Sequence, residues 1–286
     1  MVIALITGTS SGIGLATAVS LARRGHKVIA TMRNLQGATE LQKIISTEQL
    51  PITVADLDVN DDTSVERSIG RALAENGRID VLVNNAGLGL GGSVEELPLD
   101  VFREVMETNY FGPLRCIKAV LPSMRERRHG CIVNVTSISG RIALPPQAAY
   151  AASKWAFEAL SECLAQEMRA FNVRVAIVEP GVIATPIFGK ARPLPTDSPY
   201  PHARRQQALF AASLAQPTSP YVVGEQIRQI VDGDSWQLRY PVGPDAVPFL
   251  KWRARKSDEE MVEFGGASDE DYKLLVKREF GLDVNL

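Results

Sequence analysis

Short apolar runs alternate with amphipathic stretches along most of this 286-residue chain. That alternation restricts its possible folds more than any other feature. Residues 2–7 are almost wholly apolar and lead into Thr7-Gly8, which suits a strand buried on both faces of a parallel sheet. Further strands are predicted at Lys27–Met32, Ile52–Leu57, Val81–Val83, Cys131–Val135 and Val173–Val178. Helices are predicted between them: to about Arg24, where Gly25 is a C-cap; near 37–48; from Asp61 or Asp62 to Asn76-Gly77; over about 99–127; and through Tyr150 to about Phe171. Repeated strand–helix–strand units require right-handed crossovers and a parallel sheet.

The fold class expected is therefore α/β. It is a single doubly wound parallel β-sheet of Rossmann type, with helices on both faces and a C-terminal helical extension. Residues 186–220 break the pattern: they are proline-rich and weakly periodic, and are read as an irregular substrate lid. Residues 221–232 return to a helical pattern, and Leu238–Val242 is a candidate edge strand. The charged tail, about 245–286, reads as an appended helical cap, leaving 1–286 as one domain.

Charge excludes some partners. Thirty-one Lys and Arg against 33 Asp and Glu give a net charge of -2, so no strong field favours nucleic acid or an anionic membrane. No apolar run reaches the roughly 18 residues of a membrane span. The first apolar run follows Met1 without a basic leader and is needed as a strand, so a cytoplasmic location is expected. Cys116, Cys131 and Cys163 stand singly and are read as buried free thiols of a reducing compartment. His26 and His129 are read as surface turn residues and His202 as a candidate pocket residue. The three histidines are scattered without a ligand pattern, so no metal is expected.

Ligands of open α/β sheets sit at the carboxyl ends of the strands. There the first strand meets Gly8-Thr9-Ser10-Ser11-Gly12-Ile13-Gly14 and then a helix. Glycines at such a turn let backbone N–H groups approach a phosphate at a helix N-terminus. The spacing G-x-x-x-G-x-G differs from G-x-G-x-x-G, and simple turn glycines are the alternative. At the end of the second strand, Thr31-Met32-Arg33-Asn34 lacks the acid that would bind a ribose 2′-hydroxyl. Arg33 instead suits a 2′-phosphate, with a hydroxyl contact from Ser10, which favours NADP(H) over NAD(H). Asp58 could accept from an adenine amino group or cap the next helix.

Tyr150 and Lys154 are four apart and share one helix face. A neighbouring cation lowers the pKa of a phenol, making it an acid/base group near neutrality. A surface Tyr packed on a Lys stem is the alternative.

Taken in order, Thr7-Gly8-x-x-x-Gly12-x-Gly14, Asn84-Asn85-Ala86-Gly87, Asn109 in Asn109-Tyr110-Phe111-Gly112, Ser137, Tyr150-x-x-x-Lys154 and Pro180-Gly181 resemble the short-chain dehydrogenases/reductases over about residues 1–190. The glycine loop, Ala30-Thr31-Met32-Arg33-Asn34 and Asn85-Ala86-Gly87-Leu88-Gly89 are similar to the branch holding estradiol 17β-dehydrogenase and retinol dehydrogenase, which mostly uses NADP(H). The resemblance implies Tyr150 as general acid/base, with Lys154 lowering its pKa and holding the nicotinamide ribose. It implies Ser137 as the group polarising the substrate oxygen and Asn109 as the residue orienting a water toward Lys154. The cofactor site it implies is Gly8, Ser10, Ser11, Gly12, Ile13, Gly14, Arg33, Asp58, Val59, Asn85, Ala86, Gly87, Tyr150, Lys154, Pro180, Gly181, Val182 and Thr185, with Asn85 and Gly87 near the adenosine ribose and Thr185 near the carboxamide. A homodimer or homotetramer is implied too.

Apolar residues of the lid (Ile187, Phe188, Leu194, Tyr200, Leu209, Phe210 and Leu214), facing Leu88, Leu90 and Leu144, suit a small hydrophobic alcohol or ketone. An NAD(H)-using relative and a non-catalytic nucleotide sensor are the alternatives. The second should lack one of Ser137, Tyr150 and Lys154, and this chain keeps all three.

Overall fold

The computed structural model of the chain describes residues 1–190 and 198–286; the lid residue Leu194 lies outside them. In chain order the elements are β1 (Ile3–Thr7), α1 (Gly12–Arg23), β2 (Lys27–Met32), α2 (Thr39–Glu48), β3 (Ile52–Asp56), α3 (Asp62–Asn76), β4 (Val81–Asn84), α4 (Leu99–Met106), α5 (Gly112–Arg127), β5 (Gly130–Val135), α6 (Ala148–Arg169), β6 (Val173–Pro180), α7 (His202–Leu214), α8 (Tyr221–Asp232), β7 (Arg239–Val242), α9 (Ala246–Ala254), α10 (Asp258–Gly266) and α11 (Asp269–Phe280).

The strands form one parallel sheet in the order β3-β2-β1-β4-β5-β6-β7. The order reverses beside β1, where a doubly wound sheet opens its ligand crevice. Leu5 pairs with Ile29 on one side and Leu82 on the other. The central strands β1, β4 and β5 are buried at every position, as their largely apolar sequence requires, and the buried Asn84 and Asn134 side chains bond to each other at 2.9 Å. The edge strand β3 is only partly buried.

One face of the sheet packs on α1 and α8, and the other on α3, α5 and α6. Gly224 of α8 lies so close to α1 that an added Cβ would come 2.8 Å from the Ala16 carbonyl carbon. Asp61 caps α3 by accepting from the Thr63 and Ser64 N–H groups.

The predicted helix over about 99–127 is one unbroken helical stretch made of α4 and α5. Residues Glu107–Phe111 between them form a π-turn, a feature that recurs at functional sites. The region expected to be irregular over 186–220 contains α7. The prolines at 199, 201, 217 and 220 lie outside it, and Ala203–Leu214 is rich in helix formers. His26 is not a surface residue. It is buried with Nε2 2.7 Å from Asp232, and its Nδ1 accepts from the Val2 N–H. Cys116 and Cys131 are buried free thiols, pushed up to about 12 and about 11 by burial. Cys163 is exposed, against expectation, because it lies on the outer face of α6.

The C-terminal extension has its own apolar cluster of Phe249, Trp252, Tyr272, Val276 and Val284, joined by Ile142 and Leu209. Trp252 is 1 % exposed, its ring edge-on to Phe264 and Phe280. Trp252→Ala should cost about 3–5 kcal/mol of stability, read as a lower urea midpoint. A loss below about 1 kcal/mol would show that the extension is only loosely attached.

Candidate active site

A groove with a cavity of about 670 Å³ runs along the carboxyl ends of the strands. Gly8 and Gly12 hold φ of +72° and +58°, backbone that only glycine adopts freely. A Cβ at Gly14 would stand 2.2 Å from the Gly8 carbonyl oxygen and 2.4 Å from Asn85 Nδ2. The loop therefore needs glycine at all three positions. Ser11 precedes α1 in extended conformation, and its side chain makes no capping bond. The hydroxyl and the first N–H groups of α1 are left for an anion. Gly14 itself is buried and does not line the groove; its task is the close approach of loop and helix.

Asn85 braces that loop. Its Nδ2 donates to the Thr7 and Gly8 carbonyls at 2.9 and 3.0 Å. The Thr7 hydroxyl accepts from the Asn85 and Ala86 N–H groups. The Asn85 amide nitrogen is thus used within the protein, and Asn85, Ala86 and Gly87 line the groove beside the loop. Arg33 is exposed at the groove edge, with Ser10 and Ile13 also lining it. Asp58 lines the groove too, its Oδ1 accepting from the Asn60 N–H. Asp61, not Asp58, caps α3. Val59 packs beneath, against Gly112. At the far end lie Pro180, Gly181, Val182 and Thr185, with the Thr185 side chain closing on Gly12. Asp245 of the extension accepts from the Val182 N–H at 2.9 Å.

Ser137, Tyr150 and Lys154 meet between these ends. Ser137 follows β5, and its Oγ accepts from the Ser139 N–H at 3.1 Å, capping a short 3-10 turn. The Tyr150 phenol lines the groove beside the same hydroxyl. Burial pushes that phenol up, and the Ser137 hydroxyl opposes the shift. Lys154, 5 % exposed, donates to the Val135 carbonyl at 3.0 Å, with Nζ 5.7 Å from the Tyr150 ring centre. Burial draws it down to about 8, and the Glu158 carboxylate resists. The expected lowering of the phenol by Lys154 is therefore not what this geometry produces. Burial is the largest cause for both groups, opposed by the Ser137 hydroxyl at the phenol and by the Glu158 carboxylate at Lys154.

Asn109 sits behind this trio in the π-turn, fully buried and outside the groove lining. Its side chain accepts from the Leu88 N–H and donates to the Leu88 carbonyl and Ser153 Oγ. Ser153 in turn donates to the Tyr150 carbonyl. The π-turn gives Asn109 the offset needed to join the loop after β4 to α6. Ser153 was not singled out from the sequence; its place between Tyr150 and Lys154 was the available signal.

The substrate side is lined by Leu88, Leu90, Leu144, Ile187, Phe188, Leu209, Phe210 and Leu214. Tyr200 does not line it; its hydroxyl donates to Glu95. His202 lines it with Nε2 3.0 Å from the Gly265 carbonyl. Phe249, Phe264 and Tyr272 of the extension complete the wall, which the sequence reading missed. Aromatic residues in an otherwise charged tail were the only hint. Arg205, also at the wall, is buried and held by Asp269 and by the Gly265 and Ala267 carbonyls. Among the described residues, no cluster of three or more His, Cys, Asp or Glu is placed to hold a metal, and no helix is long and apolar enough to cross a membrane.

Residues 2–195 match the sequence model of the short chain dehydrogenase family. The chain is a short-chain dehydrogenase. Retinol dehydrogenase 8 of Bos taurus is 41% identical to this short-chain dehydrogenase over 220 residues, 75% of this chain and 70% of the relative. An oxidoreductase of Botryotinia fuckeliana is 35% identical over 277 residues, 94% and 96% of the two chains. A short-chain dehydrogenase structure from Streptomyces avermitilis superposes with a TM-score of 0.80 at 35% identity, covering 92% of this chain and 96% of the other. An alcohol dehydrogenase from Thermococcus sibiricus, solved with 5-hydroxy-NADP, gives 0.71 at 27% identity and covers 84% and 95%. The match to the last structure extends the family's sheet and groove to this chain and says nothing of its substrate.

Proposed function

We propose that this short-chain dehydrogenase is an NADP(H)-dependent oxidoreductase that interconverts a secondary alcohol with a ketone, or an alcohol with an aldehyde, on a hydrophobic substrate. The observation that carries the reading is the meeting of Ser137, Tyr150 and Lys154 in one groove with the glycine loop. The residues present fit a dinucleotide: a cradle that no side chain can occupy, an N-terminal helix turn with a free hydroxyl, and Arg33 at the edge where a 2′-phosphate would lie. NADP-bound neighbours of the same fold support the choice.

When bound, the nicotinamide supplies or accepts the hydride. Ser137 holds the substrate oxygen, and Tyr150 gives it a proton in reduction or removes one in oxidation. Lys154, charged below about pH 8, stabilises the phenolate formed as that proton leaves and holds the ribose. Asn109 and Ser153 fix the first turn of α6, and with it the phenol. Leu90, Phe188, Phe210 and Phe249 exclude water from the reacting carbon. The reading treats 1–286 as one catalytic unit, since the extension walls the same cavity, and includes a cytoplasmic homodimer or homotetramer.

The test is a screen of bulky hydrophobic ketones and alcohols, following reduced-nicotinamide absorbance with each cofactor. NADPH should support turnover better than NADH. Arg33→Ala should weaken NADPH binding roughly tenfold, the worth of one charge-assisted contact, and leave NADH binding unchanged. Equal loss for both cofactors, or tighter NADH binding by the wild type, would remove the cofactor assignment.

A further inference from the structure

Below the catalytic trio lies a buried ionic cluster that the reading above does not use. Tyr150, Lys154, Glu158 and Glu162 follow one another at intervals of four along α6, so they form one stripe that runs from the groove past the buried Glu158 to the exposed Glu162. Glu158 is 4 % exposed. Its Oε1 accepts from the Thr136 hydroxyl at 2.6 Å and its Oε2 from Arg239 Nε at 3.0 Å. Arg239, on β7, also reaches Glu162, and its Nε lies 3.7 Å from Glu179. Glu179, on β6, is 1 % exposed and is paired by Arg141 at 3.2 Å. Burial, with Glu158 nearby, pushes Glu179 up.

Two buried carboxylates paired with partly exposed arginines are a poor device for stability, since apolar residues of similar volume commonly serve as well or better. Its position offers another reason. Thr136, which Glu158 holds, lies between Val135, whose carbonyl receives Lys154, and Ser137, whose hydroxyl meets Tyr150. Gly140 gives Glu158 its room: an added Cβ there would stand 2.8 Å from Glu158 Cγ and 3.1 Å from the Lys154 carbonyl oxygen.

We propose that Glu158 is a positioning residue that keeps Lys154 charged and in place, with Arg239 setting how much of the Glu158 charge Lys154 feels. This rests on the oxidoreductase reading for its consequence but not for its test. Lys154 faces the Tyr150 phenol, the Val135 carbonyl and, across Gly87, the Asn109 side chain. Glu158 faces Thr136, Arg239 and Glu179, with Arg141 behind Glu179 and Glu162 one turn along α6. Glu158 is thus the carboxylate that raises the Lys154 pKa, working against burial. Removing its charge lets Lys154 lose its proton at lower pH, while removing Arg239 strengthens the field and moves the Lys154 midpoint up.

The experiment follows the Lys154 titration directly, by NMR of protein carrying ¹³C-labelled lysine, the signal being assigned with Lys154→Met. Glu158→Gln keeps the shape and an acceptor for Thr136. It should move the Lys154 midpoint about one pH unit down, and Arg239→Gln should move it up. Circular dichroism establishes that each variant is folded. In turnover, Glu158→Gln should lose about fivefold near pH 8 and about tenfold at pH 9 and above, and approach wild type near pH 6, since one unit of midpoint is one decade in the charged fraction well to the alkaline side. A Lys154 midpoint unchanged in both variants, or a loss of turnover independent of pH, would overturn the proposal. Shifted midpoints with no ketone or alcohol turned over by the wild type would support this inference while refuting the oxidoreductase reading.

Discussion

Tyr150→Phe should lower ketone turnover by about 100- to 10,000-fold, the usual contribution of a positioned general acid, while NADPH binding stays within about threefold of wild type. The phenol lines the groove with Ser137, where it would deliver a proton to an oxygen that Ser137 holds. The Ser137 hydroxyl lines the same groove beside it and would hold the oxygen that receives the proton. The ring itself is part of the wall of the groove, and Phe preserves that packing. The Asn109–Ser153 brace holds the Tyr150 backbone, not its side chain, so it survives the substitution. Single-turnover absorbance gives the chemical step and fluorescence titration gives cofactor affinity. A variant reducing ketone at wild-type speed would remove Tyr150 from the mechanism. A variant that lost NADPH binding as completely as turnover would show the phenol to be a cofactor ligand first.

Gly14→Ala should abolish cofactor binding and destabilise the fold by about 3 kcal/mol, the upper end of ordinary overpacking costs. The new methyl would meet the Gly8 carbonyl oxygen and the Asn85 amide nitrogen at well under contact distance. Neither neighbour is the free end of a flexible side chain. Gly8 is backbone, held in left-handed conformation, and Asn85 is tied to both the Thr7 and Gly8 carbonyls. Relief requires α1 to move away from β1, which pulls the α1 N-terminus from the place a phosphate would occupy. Gly70→Ala is the control: Gly70 is within α3 with open space around its would-be Cβ, and Ala there should stabilise by up to about 1 kcal/mol. Urea midpoints and NADPH titration measure both. A stable, cofactor-binding Gly14→Ala would mean that the loop and helix are not held at this separation.

The frame was legible because its signals are local. β1 is a five-residue apolar run followed by glycine, and α3 announces its start with Asp61 and its end with Gly77. Arg33, Ser137, Tyr150 and Lys154 were legible by their place at strand ends and by helical spacing, and the fold brings all four to one groove. The misses have physical reasons too. His26 looked like a turn residue because its partner, Asp232, is 206 positions away. The lid prolines obscured α7, since the helix lies between them rather than through them. The charged tail concealed the aromatic wall because Phe249, Phe264 and Tyr272 are spaced along three helices and converge only when α9, α10 and α11 fold back.

Sequence alone determined the alternation of strands and helices, the parallel sheet that must follow, and the residues at the strand ends, because periodicity and glycine or proline chemistry act over a few residues. Tertiary structure decided the charge states and the neighbours. Lys154 is drawn to about 8, and the Tyr150 phenol is raised, by burial that no residue's own neighbours in sequence report. Asn85 and Asn109 became braces within the protein because loops distant in sequence supplied their partners. Glu158 acquired its place behind Lys154 through Arg239, which is 81 residues away in the chain and reaches it only when β7 joins the sheet edge. Desolvation and long-range pairing depend on the whole assembled interior, and only folding creates that interior.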